Sequence, residues 1–143
     1  MSEDSRTDDR LTLTRAVPRL PAVDLERARR FYSECLGLDP VDRRPGGLLY
    51  RIGDTEFVVF QSTGSSPGTF TQMALEVENL EAAVSELRRR GVVFEEVDSP
   101  GFRTENGIAE IEGNYPSKGA RGERAAWFHD SEGNLLGMGQ PLH

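Results

Sequence analysis

Regular hydrophobic patterning begins near residue 16, after a segment in which polar side chains dominate. The first ten residues alternate acids, bases and small polar groups, and they carry too little apolar surface to offset the entropy of ordering. We therefore expect residues 1–13 to form a disordered tail. An extended stretch over 16–22 contains Pro18 and Pro21, which indicates an edge strand because proline cannot donate to a strand ladder.

A helix and a hairpin are predicted next. Asp24 is a typical helix N-cap and Gly37 a typical C-terminal stop, and between them apolar residues recur at helical spacing. Two apolar runs, 48–52 and 56–61, then flank Gly53-Asp54-Thr55, which predicts a β-hairpin with a glycine-containing loop.

The same order restarts after a linker at 62–69 that is rich in Ser, Gly and Pro. Residues 70–77 alternate as a strand, Asn79 caps a second amphipathic helix, and Gly91 ends it. Residues 92–97 are predicted to be extended.

The two halves also resemble each other in sequence. Residues 23–28 match residues 78–83 in residue type at the cap and along the apolar stripe, as an internal repeat would. Any two capped amphipathic helices can look alike, but the matched strands before and after each helix favour a duplication. We therefore predict one domain over 14–143, with module 1 at about 14–62 and module 2 at about 70–140.

Residues 99–122 do not continue this alternation of strands and helices, and they contain five glycines around one short apolar run. A loop of this length in a compact domain is usually functional or mobile. Tyr115 within it is a candidate lid residue over a pocket, or simply an exposed loop tyrosine. Residues 125–129 and 135–139 then flank an Asp-Ser-Glu-Gly-Asn turn at 130–134, which predicts a final hairpin.

Composition narrows the classes of function. A chain of 143 residues can bury a core without disulfides, and its single cysteine, Cys35, fits a reducing cytoplasm, where we expect the protein to reside. The net charge of −7 disfavours nucleic acid and anionic lipid as partners. No apolar run approaches the ~20 residues that span a bilayer, so no membrane partner is expected. Cys35 is predicted to pack in the core, and His129 to be exposed rather than catalytic.

Residues 16–38, the helix start at Asn79 and above all residues 127–134 (Trp-Phe-His-Asp-Ser-Glu-Gly-Asn) resemble the vicinal oxygen chelate superfamily. That superfamily includes glyoxalase I, extradiol dioxygenases, fosfomycin-modifying enzymes and the bleomycin resistance proteins. The resemblance covers nearly all of residues 14–140. It implies an α+β fold in which two tandem βαβββ modules form an open, cupped, barrel-like sheet around a shared pocket, commonly completed in a homodimer.

Catalytic members of the superfamily hold a divalent metal with side chains from four strands. The family pattern places those positions at Val17, Val58, Gln72 and Gly137, and only Gln72 has a donor atom in its side chain. A divalent ion needs several oxygen or imidazole ligands. We therefore expect no metal and no other cofactor, and we assign no catalytic residue.

Side chains alternate between the two faces of a strand, so positions of the same parity as the metal positions should line the cup. These are Val17, Arg19, Val58, Phe60, Gln72, Ala74, Glu76, Leu135, Gly137 and Gly139. The opposite set is apolar throughout and should pack beneath the helices: Leu20, Phe57, Val59, Met73, Leu75, Val77, Leu136 and Met138. Apolar walls with two glycines and a few polar groups indicate a site for a bulky, partly aromatic small molecule.

Several cup residues have two interpretations. Arg19 either clamps a ligand or pairs with a neighbouring acid such as Glu76. Gln72 either bonds a ligand or merely occupies the former metal position. Trp127 and Phe128 are successive strand residues, so one belongs to the core and the other is a candidate stacking surface.

Three functions remain as hypotheses. The first is a non-catalytic protein of the bleomycin resistance type, which sequesters a hydrophobic or aromatic natural product or antibiotic. The second is a lyase, isomerase or dioxygenase that acts on an unidentified small molecule. The third is an interaction module with a vestigial cup. The missing metal ligands and the apolar cup favour the first.

Overall fold

The computed structural model describes residues 11–113 and 119–143. The elements run in the order β1 (Arg19–Ala22), α1 (Leu25–Leu36), β2 (Asp42–Arg44), β3 (Gly47–Ile52), β4 (Thr55–Gln61), β5 (Thr71–Glu76), α2 (Leu80–Arg89), β6 (Ala109–Glu112), β7 (Gly122–His129) and β8 (Leu135–Leu142). This order is βαβββ twice, which confirms the predicted tandem modules. The first ten residues and Tyr115 lie outside the described residues, so the tail and the lid stay predictions.

Each module folds into its own four-stranded sheet. The strand orders, β1-β4-β3-β2 and β5-β8-β7-β6, are the same once the second sheet is counted from its own first strand. The first strand of each module pairs in parallel with the fourth, and the other neighbours are antiparallel. The sheets are open and do not close into a barrel. β1 lies at a sheet edge, as its prolines indicated.

Both helices begin where the sequence predicts. The Asp24 carboxylate accepts a hydrogen bond from the Arg27 backbone N–H at 3.0 Å, and the Asn79 side chain accepts one from Ala82 N–H at 3.0 Å. Gly37 ends α1 with a left-handed φ of 69°, a conformation that glycine adopts without strain. Neither helix is long and apolar enough to cross a membrane. The cytoplasmic location predicted from the sequence stays a prediction.

The core lies between the helices and one face of each sheet. Five of the residues predicted to pack there are buried, and three more pack at its margin. The five are Leu20, Phe57, Val59, Leu136 and Met138, and the three are Met73, Leu75 and Val77. Cys35 also packs at the margin, where burial raises the pKa of its thiol, as expected for a packing residue.

Several strand assignments differ from the expectation. β1 begins at Arg19 rather than at residue 16. β2 was not predicted, because its three polar, exposed residues show no alternation. Residues 92–97 form no strand and contribute only an isolated bridge between Phe94 and Phe128, and β6 supplies the second strand of module 2 instead.

The turn between β7 and β8 binds the two modules together. The buried Asp130 carboxylate accepts bonds from Glu132 N–H (2.8 Å), Asn134 N–H (2.9 Å), the Asn134 side-chain amide (2.9 Å) and the Tyr32 hydroxyl of α1 (2.7 Å). The same Asn134 amide donates to the Pro21 carbonyl of β1 at 3.0 Å. Residues 130–134, the most distinctive motif of the sequence, therefore have a structural role and form the joint between the two modules.

Glu132 adds an ion pair to this joint. Its carboxylate accepts bonds from the Arg27 guanidinium at 2.8 and 3.0 Å and from the Asp24 backbone N–H at 3.1 Å. Its side chain is 1% exposed. Burial opposes its ionisation, but the bonds from Arg27, Asp24 and Ser131 outweigh that effect and hold the pKa of Glu132 below its ordinary value.

Candidate functional site

A cavity of about 1220 Å³ lies on the second sheet, on the face opposite the core. Strands β5, β6, β7 and β8 and the segment around residues 95–102 form its walls. Because β7 and β8 are antiparallel neighbours, Trp127 stands directly opposite Gly137, and Ala125 opposite Gly139. These four residues share the face that lines the cavity.

Seven of the predicted pocket residues line this cavity. They are Gln72, Ala74, Glu76, Trp127, Leu135, Gly137 and Gly139. All seven belong to module 2. The alternation of side chains along the strands therefore groups residues that share one face of the second sheet, and their contact with a ligand stays a prediction.

The predicted residues of module 1 lie elsewhere. Arg19, Val58 and Phe60 lie on the first sheet, and Val17 precedes its first strand. The Arg19 guanidinium stacks over the Phe60 ring at 5.4 Å. The sequence analysis predicted that both modules surround one pocket. In the single chain, no residue of the first sheet lines this cavity, because the two modules form separate sheets.

The adjacent aromatic residues of β7 point to opposite faces. Phe128 is fully buried and packs against Phe94 in the core, so the structure does not place it with the cavity residues. Trp127 faces the cavity and stacks on Phe102, with ring centroids 5.2 Å apart and an interplanar angle of 26°. Trp127 is therefore the member of the pair that is placed to stack on a ligand, and that role stays a prediction.

The two predicted glycines leave space in the cavity. A Cβ atom on Gly137 would lie 3.3 Å from Cγ2 of Thr71 and 3.5 Å from Nε1 of Trp127. A Cβ atom on Gly139 would lie 2.7 Å from a carboxylate oxygen of Glu123. Larger side chains at either position would enter the cavity or displace its lining.

The residues that line the cavity but were not predicted to do so include Phe102, Glu95, Glu123 and His129. His129 was predicted to be exposed, but it is half-buried, with Nδ1 3.2 Å from the Glu95 carboxylate and Nε2 2.9 Å from the Gly68 carbonyl. A carbonyl only accepts, so Nε2 carries the proton in that bond. Its position on β7, two residues after Trp127, is the signal that could have placed it on the cavity face.

The cavity is acidic. Five carboxylates line it: Glu76, Glu95, Glu96, Glu112 and Glu123. Among the described residues, no lysine or arginine lines the cavity. Hydrogen bonds from the Thr104 hydroxyl and the Gly107 N–H hold Glu96 and lower its pKa. Burial has the opposite effect on Glu123 and raises its pKa.

The donor set at the four family metal positions does not fit a divalent ion. Val17, Val58 and Gly137 offer no side-chain donor, and Oε1 of Gln72 accepts a hydrogen bond from the Ser66 hydroxyl. Across 11–113 and 119–143, no three His, Cys, Asp or Glu side chains are grouped as a metal site.

Comparisons with known proteins agree with this architecture. Residues 12–137 match the profile of the Glyoxalase/Bleomycin resistance protein/Dioxygenase superfamily. The structure of a bleomycin-binding protein complexed with bleomycin is similar, with 25% identity over 90% of this chain and 98% of that one and a TM-score of 0.60.

Two further solved structures share the fold. TnmS3, an antibiotic binding protein from a Streptomyces species, is 24% identical over 92% of this chain and 99% of its own, with a TM-score of 0.60. The fosfomycin resistance protein FosX from Listeria monocytogenes is 11% identical over 92% of this chain and 93% of its own, with a TM-score of 0.65. A search of curated protein sequences gives no match.

Proposed function

The chain belongs to the glyoxalase/bleomycin resistance protein/dioxygenase superfamily, and from this premise we propose that it is a non-catalytic binding protein for a bulky aromatic natural product or antibiotic. The cavity on the second sheet carries the proposal. Ligand sites commonly measure about 300–1,000 Å³, so a cavity of about 1220 Å³ has room for a large molecule. Trp127 and Phe102 supply a stacked aromatic wall for a planar ligand.

Sequestration rather than conversion is supported by the chemistry of the family's metal positions. Val17, Val58 and Gly137 cannot polarise a substrate, and Gln72 is engaged by Ser66. Two of the similar structures are named as a bleomycin-binding and an antibiotic binding protein, which further supports a resistance-type role.

The working form in this proposal is a homodimer. Leu49, Val58 and Phe60 share one face of the first sheet, and each is only half-buried in the single chain. A second copy that covers this apolar face would bring module 1 residues to a pocket, as the sequence predicted. Light scattering should then give about twice the 15.9 kDa of one chain, and the mass of one chain would reject the dimer.

The proposal is tested by titrating the protein with a panel of bulky aromatic antibiotics. Trp127 is the only tryptophan, so its fluorescence reports on the cavity. At least one compound should bind with a Kd below about 10 μM, roughly −7 kcal/mol, in fluorescence and in calorimetry. After prolonged incubation the compound should be recovered with its mass unchanged. A panel without such binding rejects the binding function, and a changed mass makes the protein an enzyme.

A further inference from the structure

Glu123 places a carboxylate on the apolar part of the cavity lining. On β7 it stands between Ile111 of β6 and Pro141 of β8, its two cross-strand partners. Its side chain extends over Gly139, because a Cβ atom at that glycine would lie only 2.7 Å from the Glu123 carboxylate. These three neighbours, Ile111, Pro141 and Gly139, offer the carboxylate no charge and no side-chain donor.

Glu123 differs in this respect from the paired acids of the cavity. Glu95 lies beside His129, and Glu96 accepts bonds from Thr104 and Gly107. Within 11–113 and 119–143, Glu123 forms no ion pair and accepts no hydrogen bond. A partly buried carboxylate without a partner is costly, and the cost is relieved when a cation binds it.

The position of Glu123 relative to Trp127 sets the dimensions of a ligand. The two residues lie on the same face of one strand, four positions apart. At about 3.3 Å per residue this separation is about 13 Å along the strand. One end of the cavity therefore offers an aromatic surface, formed by Trp127 and Phe102, and the other end offers an unpaired negative charge.

From this arrangement we propose that Glu123 determines specificity and that the ligand is an aromatic cation, with a protonated amine near Glu123 and a planar ring system on Trp127. The inference rests on the proposed binding function and specifies the ligand class of the same cavity. The net charge of −7 favours the approach of such a cation.

Three matched probes test the charge. Each is an anthraquinone with the same flexible chain, long enough to reach Glu123 from Trp127, and the chain ends in a primary ammonium, a hydroxyl or a carboxylate. Quenching of Trp127 fluorescence gives the three Kd values. The ammonium probe should bind at least about tenfold more tightly than the hydroxyl probe, the equivalent of about 1.4 kcal/mol, and the carboxylate probe should bind most weakly.

The variant Glu123→Gln tests the residue. It should weaken the ammonium probe to the level of the hydroxyl probe and leave the hydroxyl probe within about twofold of its wild-type Kd. Glu110→Gln is the matched control, because it removes an equal charge from the neighbouring strand β6 but does not line the cavity. It should leave the preference for the ammonium probe intact. Thermal unfolding of both variants shows whether they remain folded.

The outcomes separate this inference from the proposed function. Equal binding of the ammonium and hydroxyl probes overturns the inference and leaves the binding function standing. An equal loss in Glu110→Gln and Glu123→Gln also overturns it, because the preference would then come from the overall field. Failure of all three probes overturns it as well, whereas the antibiotic panel decides the binding function independently.

Discussion

Replacing Asp130 with alanine tests how the two modules are joined. The substitution removes the acceptor for the backbone N–H groups of Glu132 and Asn134 and for the side chains of Tyr32 and Asn134, and all three of these residues are buried. A buried donor without a partner costs about 1–3 kcal/mol. At the lower end of that range, the four donors together give an expected destabilisation of about 3–5 kcal/mol. That is a large fraction of the roughly 5–15 kcal/mol that stabilises a typical domain.

Urea unfolding followed by circular dichroism measures this loss directly. Asp130→Asn keeps the shape and one acceptor oxygen, so it should cost less than the alanine variant. Asp54→Ala is the control, because Asp54 is an exposed residue in the hairpin turn of module 1, and it should change stability by less than about 0.5 kcal/mol. If Asp130→Ala lowers the free energy of unfolding by less than about 1 kcal/mol, Asp130 does not hold the two modules together as described.

Three further predictions concern pH and the cavity. Because the pKa of Glu132 is lowered, the stability that its carboxylate contributes is present at neutral pH and is lost as pH falls through that pKa. Glu132→Gln should therefore make the free energy of unfolding depend less on pH in the acid range. An unchanged pH dependence in that range would contradict this prediction. The raised pKa of Glu123 has the opposite sign, because its contribution falls as pH rises through that pKa. Glu123→Gln should therefore raise the melting temperature at pH 7, and a lower melting temperature would argue against an unpaired carboxylate. Phe102→Ala removes the ring stacked on Trp127. Because such stacking contributes about 0.5–1.5 kcal/mol, the Kd of aromatic ligands in fluorescence titrations should rise about two- to tenfold. Unchanged Kd values would place the ligand elsewhere.

The elements that follow local rules were predicted from the sequence. Asp24 and Asn79 cap their helices through their own side chains, and Gly37 ends α1 in the conformation that favours glycine. The final hairpin was predicted from its turn residues. β2 was missed because three polar residues carry no period, and only pairing with β3 orders them as a strand.

The candidate site was predicted only in part, for two physical reasons. Parity along a strand assigns a face, but it does not tell which sheets share a cavity, so Val58 and Phe60 were grouped with residues of the other sheet. β7 begins at Gly122, three residues before the predicted strand, so the parity argument never reached Glu123. Phe102 comes from a loop without periodicity, and only the folded chain brings it to Trp127.

The most direct test of the account is calorimetric titration of a cavity-blocking variant with the tightest aromatic compound of the panel. Gly137→Leu should place its side chain between Thr71 and Trp127 and obstruct the cavity beside the indole ring. Gly64→Leu is the matched control, because an added Cβ atom there meets open space away from the cavity. We predict that Gly137→Leu, verified as folded, loses binding by at least about 100-fold, roughly 3 kcal/mol, whereas Gly64→Leu binds as the wild type does. Undiminished binding by folded Gly137→Leu would contradict the assignment of this cavity as the ligand site.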